Sequence, residues 1–307
     1  MNAEKTWLVV GAGAIGQPYG LALAEAGGKV AFLARRGARK PAAARFLLRD
    51  DRSGREKTLE APWLSEIPPA ENLRGILLCT RSDQLDGALE DFSAAIAARK
   101  GVPLFFFTLA FHDREKIAEA CPGVPLVLGN ASIISHLEGE RVRYWLPPMP
   151  TFISPLSPGA LPGARDLARA MRKGGVRAMV VKKSPAPAYY ALSMPMLAAL
   201  RKSRLSPGAR DLYRLAAEAG KEGIVIHRRV FQSTPFGMGA LRFIPASPAA
   251  QVVSGILGFM SDPARARYFA LADKLGEQTV GMIDELIGDG KEAGLPTEKL
   301  EAIRGMV

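Results

Sequence analysis

This 307-residue chain has only two cysteines and three histidines. Cys79 and Cys121 lie far apart, so no disulfide framework shapes the fold, and both read as reduced thiols of an intracellular protein. Neither has His, Asp or Glu company at metal-ligand spacing, which argues against a metal site. No serine or cysteine nucleophile motif is present. Long apolar runs are missing as well. The longest near the C-terminus, residues 249 to 260, is too short and too glycine-interrupted to span a bilayer. The polar N-terminus leads straight into an apolar stretch and carries no secretory signal, so a cytoplasmic protein without a membrane partner is expected. Basic residues outnumber acidic ones by 41 to 30, a net charge of +11, yet they are scattered. Without aromatic-interleaved basic stretches or a helix-turn-helix pattern, nucleic acid is not the expected partner. The diffuse positive charge favours small anions.

What the chain does have is a strong opening. Thr6-Trp-Leu-Val-Val10 is a short β-rich apolar run, suited to a strand buried on both faces. Gly11-Ala12-Gly13-Ala14-Ile15-Gly16 follows, then a helical run stopped by Gly27-Gly28, then a second apolar strand, Lys29 to Leu33. In this context the three glycines acquire separate jobs. Gly11 permits a sharp turn, Gly13 lets the backbone approach a pyrophosphate, and Gly16 lets the helix pack closely on the strand. The N–H groups of Ala14, Ile15 and their neighbours at the helix start complete an anion site. An NAD site usually places a carboxylate at the end of the second strand to hold the ribose. Here the strand ends Ala34-Arg35-Arg36-Gly37, and no carboxylate occurs before Asp50. Two guanidinium groups match a 2′-phosphate, so NADP(H) is the expected cofactor.

Further along, weak alternation over residues 42 to 60 predicts one hairpin-like pair. Arg74 to Thr80, Val102 to Thr108 and Val124 to Gly129 are apolar runs alternating with helical segments that begin at Asp83 and His112. That alternation predicts a doubly wound parallel sheet of the Rossmann type. Asn130 to Trp145 reads as extended chain folding back on itself. A short strand at Thr151 to Ser154, a helix from Leu161 to Lys173 and a last strand over Gly175 to Val181 complete this half. From Pro185 only helices are predicted. They run from Ala188 to Lys202, from Arg210 to Gly223 and, after an irregular stretch from Ser233 to Pro248, from Asp262 to Ile287. In the long third helix Phe269, Ala272, Leu275, Thr279, Met282, Ile283 and Leu286 follow a 3.6-residue spacing. Length and pattern together suggest two domains, residues 1–183 for the dinucleotide and an all-α domain, 184–307, for substrate or dimer contacts.

These features resemble the ketopantoate reductase family. Val9-Val-Gly-Ala-Gly-Ala-Ile-Gly16 is close to its opening, and Leu-Ala-Arg35-Arg36 to its 2′-phosphate reader. Leu78-Cys-Thr-Arg-Ser-Asp-Gln84 is similar to its fourth strand and Lys-x-x-Gln, with Arg81 in the lysine's place. Gly294-Leu-Pro-Thr297 is similar to its C-terminal Gly-x-Pro-Thr. The resemblance implies NADPH and a small 2-keto acid bound between the two domains, and a possible homodimer. The family's Asn-Gly after the fifth strand is replaced by Thr108-Leu-Ala-Phe111, and Tyr189-Tyr-Ala-Leu-Ser-Met-Pro-Met196 carries neither its general-acid Lys nor its Asn residues. The reading is therefore hydride transfer to a small 2-keto or imino acid other than ketopantoate. A non-catalytic NADP(H)-binding sensor or partner subunit is the alternative.

Carbonyl reduction needs a proton donor and a cation for the substrate carboxylate. Arg81 and His112 follow strands whose C-terminal ends should carry the ligand, and Lys183 closes the last strand. These three are the catalytic candidates. Gly11, Gly13, Ala14, Ile15, Gly16, Arg35, Arg36, Thr80, Arg81 and Asn130 are the candidates for holding the cofactor. Lys182, Ser132, Tyr189 and Tyr190 are further positions that could face a cleft.

Overall fold

A computed structural model describes residues 5–35, 37, 42–108, 111–231 and 245–306. Two compact units emerge, one reaching Thr108 and resuming from His112 to Ser184, the other from Pro185 onward together with Phe111.

Among the described residues the first unit has eleven strands. They are β1 (Thr6–Val10), β2 (Lys29–Leu33), β3 (Ala43–Asp50), β4 (Glu56–Leu64), β5 (Leu73–Leu78), β6 (Leu104–Phe106), β7 (Leu126–Asn130), β8 (Ile134–Glu138), β9 (Arg141–Trp145), β10 (Thr151–Pro155) and β11 (Ala178–Val180). Their spatial order is β11-β10-β7-β6-β5-β1-β2-β4-β3-β9-β8. Strands β7, β6, β5, β1 and β2 run parallel, and β4 joins β2 in the same sense. The doubly wound parallel sheet is flanked on both sides by antiparallel pairs. β3 and β4 form an antiparallel pair, as do β8 and β9, and β10 runs against β7. The reason lies in the connections. Short turns such as Asp51 to Arg55, with Gly54 at φ +70°, can only fold a strand back on its neighbour. The hairpins expected over residues 42 to 60 and 130 to 145 are these two pairs.

Alternation along β1 sorts the core into two layers. Trp7 and Val9 point to one face with Tyr19, Leu167 and Met171, from α1 (Gly16–Glu25) and α4 (Leu161–Lys173). Leu8 and Val10 point to the other with Leu89, Ile96 and Ile117, from α2 (Leu85–Ala97) and α3 (Asp113–Ala120). Such side chains, buried on both faces, explain why the strands read as continuous apolar runs. Tyr19 Oη and Thr151 Oγ1, 2.8 Å apart, share a buried hydrogen bond. Arg74 stacks over Trp7 at 5.0 Å and holds Asp166 through two hydrogen bonds, which raise its pKa. Both cysteines are buried thiols. Burial pushes Cys79 well above the ordinary thiol range and Cys121 up to about 11.

The second unit is helical. It comprises α5 (Ala186–Lys202), α6 (Arg210–Phe231), α7 (Ala246–Phe259), α8 (Asp262–Lys274), α9 (Gly276–Glu292) and α10 (Glu298–Arg304). Tyr213, Met282, Ile283, Leu286, Leu300 and Ile303 are its fully buried centre. The single helix expected from Asp262 to Ile287 is two helices, broken at Leu275. Gly276 packs so tightly beneath Arg201 that a Cβ there would lie 2.4 Å from the guanidinium. The apolar spacing continues across the break because only one residue leaves the helix, and a periodicity count cannot register that. Helix α7 falls partly in the stretch expected to be irregular. Its Pro248 sits in the first turn, where no intrahelical N–H is lost. The remainder of that stretch, up to Ile244, lies outside the described residues. Among the described residues no helix is long and apolar enough to cross a membrane, and no group of three or more His, Cys, Asp or Glu could hold a metal ion.

Candidate functional site

The site is assembled at the C-terminal edge of the parallel strands. From β1 the chain moves to β2 on one side and later to β5 on the other, so the strand order reverses beside β1. Such a switch point leaves a crevice that no connecting chain crosses, and open α/β sheets bind ligands there. The strand order also arranges the candidate residues along this edge. Asn130 ends β7, Thr108 follows β6, Thr80 follows β5, Gly11 follows β1 and Arg35 follows β2.

The glycine turn is shaped by what surrounds each Cα. Gly11 has φ +98°, and a Cβ there would lie 2.8 Å from the Cys79 carbonyl oxygen. At Gly16 a Cβ would lie 2.0 Å from the Gly11 carbonyl oxygen, so only glycine lets α1 start against the turn. Around Gly13 the opposite holds, because a Cβ there would meet nothing within 4 Å. Gln17 fastens the turn from within the helix, its Nε2 donating to Ala12 O at 2.9 Å and its N–H to Gly13 O at 3.1 Å. Ile15, at the N-cap, offers no side-chain acceptor, and the first turn of α1 holds no acidic residue. The leading N–H groups are therefore left for an external anion. Open space over Gly13, a bare helix N-terminus and closely packed Gly11 and Gly16 fit a pyrophosphate. Gln17 was not foreseen as part of this turn. Its signal was its place four residues after Gly13, where it can reach back over the first turn.

The remaining candidates are placed unevenly. Arg35 is exposed just past β2, whereas Arg36 lies outside the described residues. Thr80 and Thr108 are buried, and neither hydroxyl has a hydrogen-bond partner among the described residues. Buried hydroxyls are usually satisfied, so this pair on adjacent strand ends marks a place where polar company is due. Arg81 precedes a 3₁₀ turn (Ser82–Gln84) and binds Asp83 bidentately, its Nε donating to Oδ1 at 2.8 Å and its Nη2 to Oδ2. That partner was not foreseen, although an Arg-x-Asp spacing at a turn allows it. Beside it, Ser82 Oγ donates to Asp113 Oδ2 at 2.8 Å, tying this turn to the first turn of α3. His112 is half-buried at the N-cap of α3 without capping it through its side chain.

Lys183 is exposed, as is Lys182, and topology sets them apart from the other candidates. β11 runs parallel to β10 and hence against β7, so its C-terminal end does not point to the edge that carries the glycine turn. The chain then bends so that Ser184 Oγ donates to the buried Asn130 Oδ1. Ser132 is committed too, its Oγ donating to Met149 O at 2.8 Å. Tyr189 and Tyr190 belong to α5 in the helical unit.

Residues 7–157 match the family model described as ketopantoate reductase PanE/ApbA. Comparison with the curated proteins finds no match. Several solved structures share the fold. The complex of D-mandelate dehydrogenase with NADH and anilino(oxo)acetate superposes with a TM-score of 0.72 at 17% identity, covering 98% of this chain and 96% of that one. A PanE/ApbA family ketopantoate reductase from Ralstonia eutropha JMP134 gives 0.71 at 16% identity, covering 98% and 96%. The 2-dehydropantoate 2-reductase from Methylococcus capsulatus gives 0.68 at 15%, covering 98% and 95%.

Proposed function

Because residues 7–157 match the family model described as ketopantoate reductase PanE/ApbA, we propose that this chain is a nicotinamide-dependent oxidoreductase that reduces a small 2-keto or imino acid. The observation that carries the reading is the glycine turn, with open space over Gly13 and a bare helix start at the switch point of the sheet. In this reading the N–H groups of Ala14, Ile15 and Gly16 hold the pyrophosphate, and Thr80, Arg81 and Asn130 border the nicotinamide end. Bound reduced nicotinamide supplies the hydride for the carbonyl carbon. His112 supplies the proton for the carbonyl oxygen, and the Arg81 guanidinium faces the substrate carboxylate. Lys183, beside the Ser184 that bonds Asn130, is the other candidate proton donor.

The preferred cofactor is NADP(H), supported by Arg35 and Arg36 and by the absence of a carboxylate between them and Asp50. The D-mandelate dehydrogenase of similar fold was solved with NADH, so the choice needs a direct test. Arg35→Ala with Arg36→Ala should weaken NADPH by about 1.5–3 kcal/mol and leave NADH nearly unchanged. Equal losses for the two would mean that these arginines do not read the phosphate. A ketopantoate reductase from Staphylococcus aureus is described as dimeric, and a homodimer belongs to the same proposal.

One observation favours a non-catalytic binding role instead. Arg81 is held by Asp83, and Asn130 by Ser184, so two of the candidate groups are already engaged within the chain. Titrating the purified protein with NADPH, and then following the bound nicotinamide emission as 2-keto acids are added, separates the readings. Decay of the signal under one keto acid supports turnover and names the substrate class. Tight binding without decay supports the sensor. No binding of either nucleotide removes both.

A further inference from the structure

Two stretches of the ligand edge, residues 81–86 after β5 and residues 112–116 at the start of α3, are joined to each other. Ser82 Oγ donates to Oδ2 of the buried Asp113 at 2.8 Å, and Lys116 Nζ reaches Asp86 Oδ1 at 3.1 Å. Each Lys and Arg of these two stretches is met by a carboxylate from the same stretches. Arg81 is paired with Asp83, Arg114 with Glu115 and Lys116 with Asp86. The whole chain carries a net charge of +11, yet this ledge lends little of it to an incoming anion.

Of the three pairs, Arg81–Asp83 lies where the substrate carboxylate is expected. The backbone beneath it is fixed. Arg81 is extended at φ −74° and ψ 158°, and the 3₁₀ turn that follows is tied inward through Ser82. The side chains on either side of Ser82 stay accessible, 45% exposed for Arg81 and 40% for Asp83. Asp83 grips the guanidinium as a carboxylate ligand does. Its Oδ1 accepts from Nε at 2.8 Å, and its Oδ2 accepts from Nη2. A substrate carboxylate at the same guanidinium either displaces Asp83 or lies beside a like charge. Both outcomes lower its affinity.

We propose that Asp83 is a specificity-determining residue. By holding Arg81, it sets how strongly the site prefers a 2-keto acid over an uncharged ester of the same acid. This rests on the reductase reading, in which Arg81 meets the substrate carboxylate. Asp83 acts through Arg81 and not on the reacting atoms. Exposed ion pairs are individually weak, so the pair can yield to a ligand while Ser82 and Asp113 keep the turn in place.

The test is calorimetric titration of the NADPH-loaded full chain, at constant ionic strength, with oxamate and with its uncharged ester, ethyl oxamate. Oxamate is an unreactive analogue of a 2-keto acid. Asp83→Asn keeps an acceptor oxygen for Arg81 Nε and removes the charge. It should tighten oxamate by about three- to fivefold, the effect of a unit charge about 6 Å away near water, and leave ethyl oxamate within about 1.5-fold. Asp86→Asn removes the same formal charge from the same ledge, but Asp86 is highly exposed and bound to Lys116. It should change neither ligand by more than about 1.5-fold. A purely structural Asp83 would instead shift the melting midpoint and leave the ratio of the two affinities unchanged. Unchanged or weaker oxamate binding in Asp83→Asn, an equal gain for the ester, an equal gain in Asp86→Asn or no saturable oxamate binding would each overturn the proposal. Arg81→Met separates this failure from that of the reductase reading. If it weakens oxamate while Asp83→Asn does nothing, only the role of Asp83 is lost. If it leaves oxamate unchanged, Arg81 does not meet the carboxylate, and the reading falls with the proposal.

Discussion

Gly13→Val leaves the chain folded and weakens nicotinamide nucleotide binding by at least about a hundredfold, or 2.7 kcal/mol. A Cβ at Gly13 would meet no protein atom within 4 Å, so the folded chain has room for the side chain. That same room is what a pyrophosphate approaching the N–H groups of α1 would fill, and an isopropyl group would occupy it. The two flanking glycines behave differently. At Gly11 and Gly16 a Cβ would press on carbonyl oxygens 2.8 and 2.0 Å away, so substitutions there should cost stability first. Calorimetry for binding and a thermal melt for folding distinguish the cases. Unchanged nucleotide affinity in a folded Gly13→Val protein would remove the turn from the site altogether.

Leu286→Asp unfolds the helical unit. Leu286 is fully buried in α9 beside Met282 and Ile283, and its Cδ1 would lie 3.4 Å from a Cβ at Gly223 of α6. Losing the leucine costs about 2–5 kcal/mol. Burying an unpaired carboxylate adds several more, which together approach the whole stability of a domain of this size. Leu275, on the same apolar stripe by sequence, is only half-buried at the break between α8 and α9. Leu275→Asp should therefore cost about 1 kcal/mol and keep the unit folded. Thermal melts and limited proteolysis of both variants check the pair. A cooperative, protease-resistant helical unit in Leu286→Asp would mean that α9 does not form the core.

The contrast between Leu275 and Leu286 shows where local pattern stops being informative. The 3.6-residue spacing selects a face, but both leucines lie on it. Burial depends on whether the helix continues, and Arg201, 75 residues before Gly276 in the chain, packs where the two helices meet. The same limit applies to the strands. Apolar runs such as Trp7 to Val10 announce burial on both faces, yet they carry no sign of direction. β10 and β11 read as ordinary strands in sequence and turn out to run against β7. Lys183 follows β11, whose direction the sequence does not reveal.

Local chemistry determined a good deal by itself. The glycine spacing between an apolar run and a helix marks the turn because each glycine's role follows from covalent geometry within six residues. The arginines past β2, and the absence of a carboxylate there, express a charge preference that needs no fold to read. Tertiary structure alone decided the rest. It set Thr80, Thr108 and Asn130 in order along one edge, engaged Arg81 with Asp83, and brought Glu25, Asp50, Lys173 and Tyr144 around one cavity. Those groups come from four segments up to 148 residues apart in the chain. Only strand order and helix packing bring them together, and both arise from long-range burial rather than from any local preference.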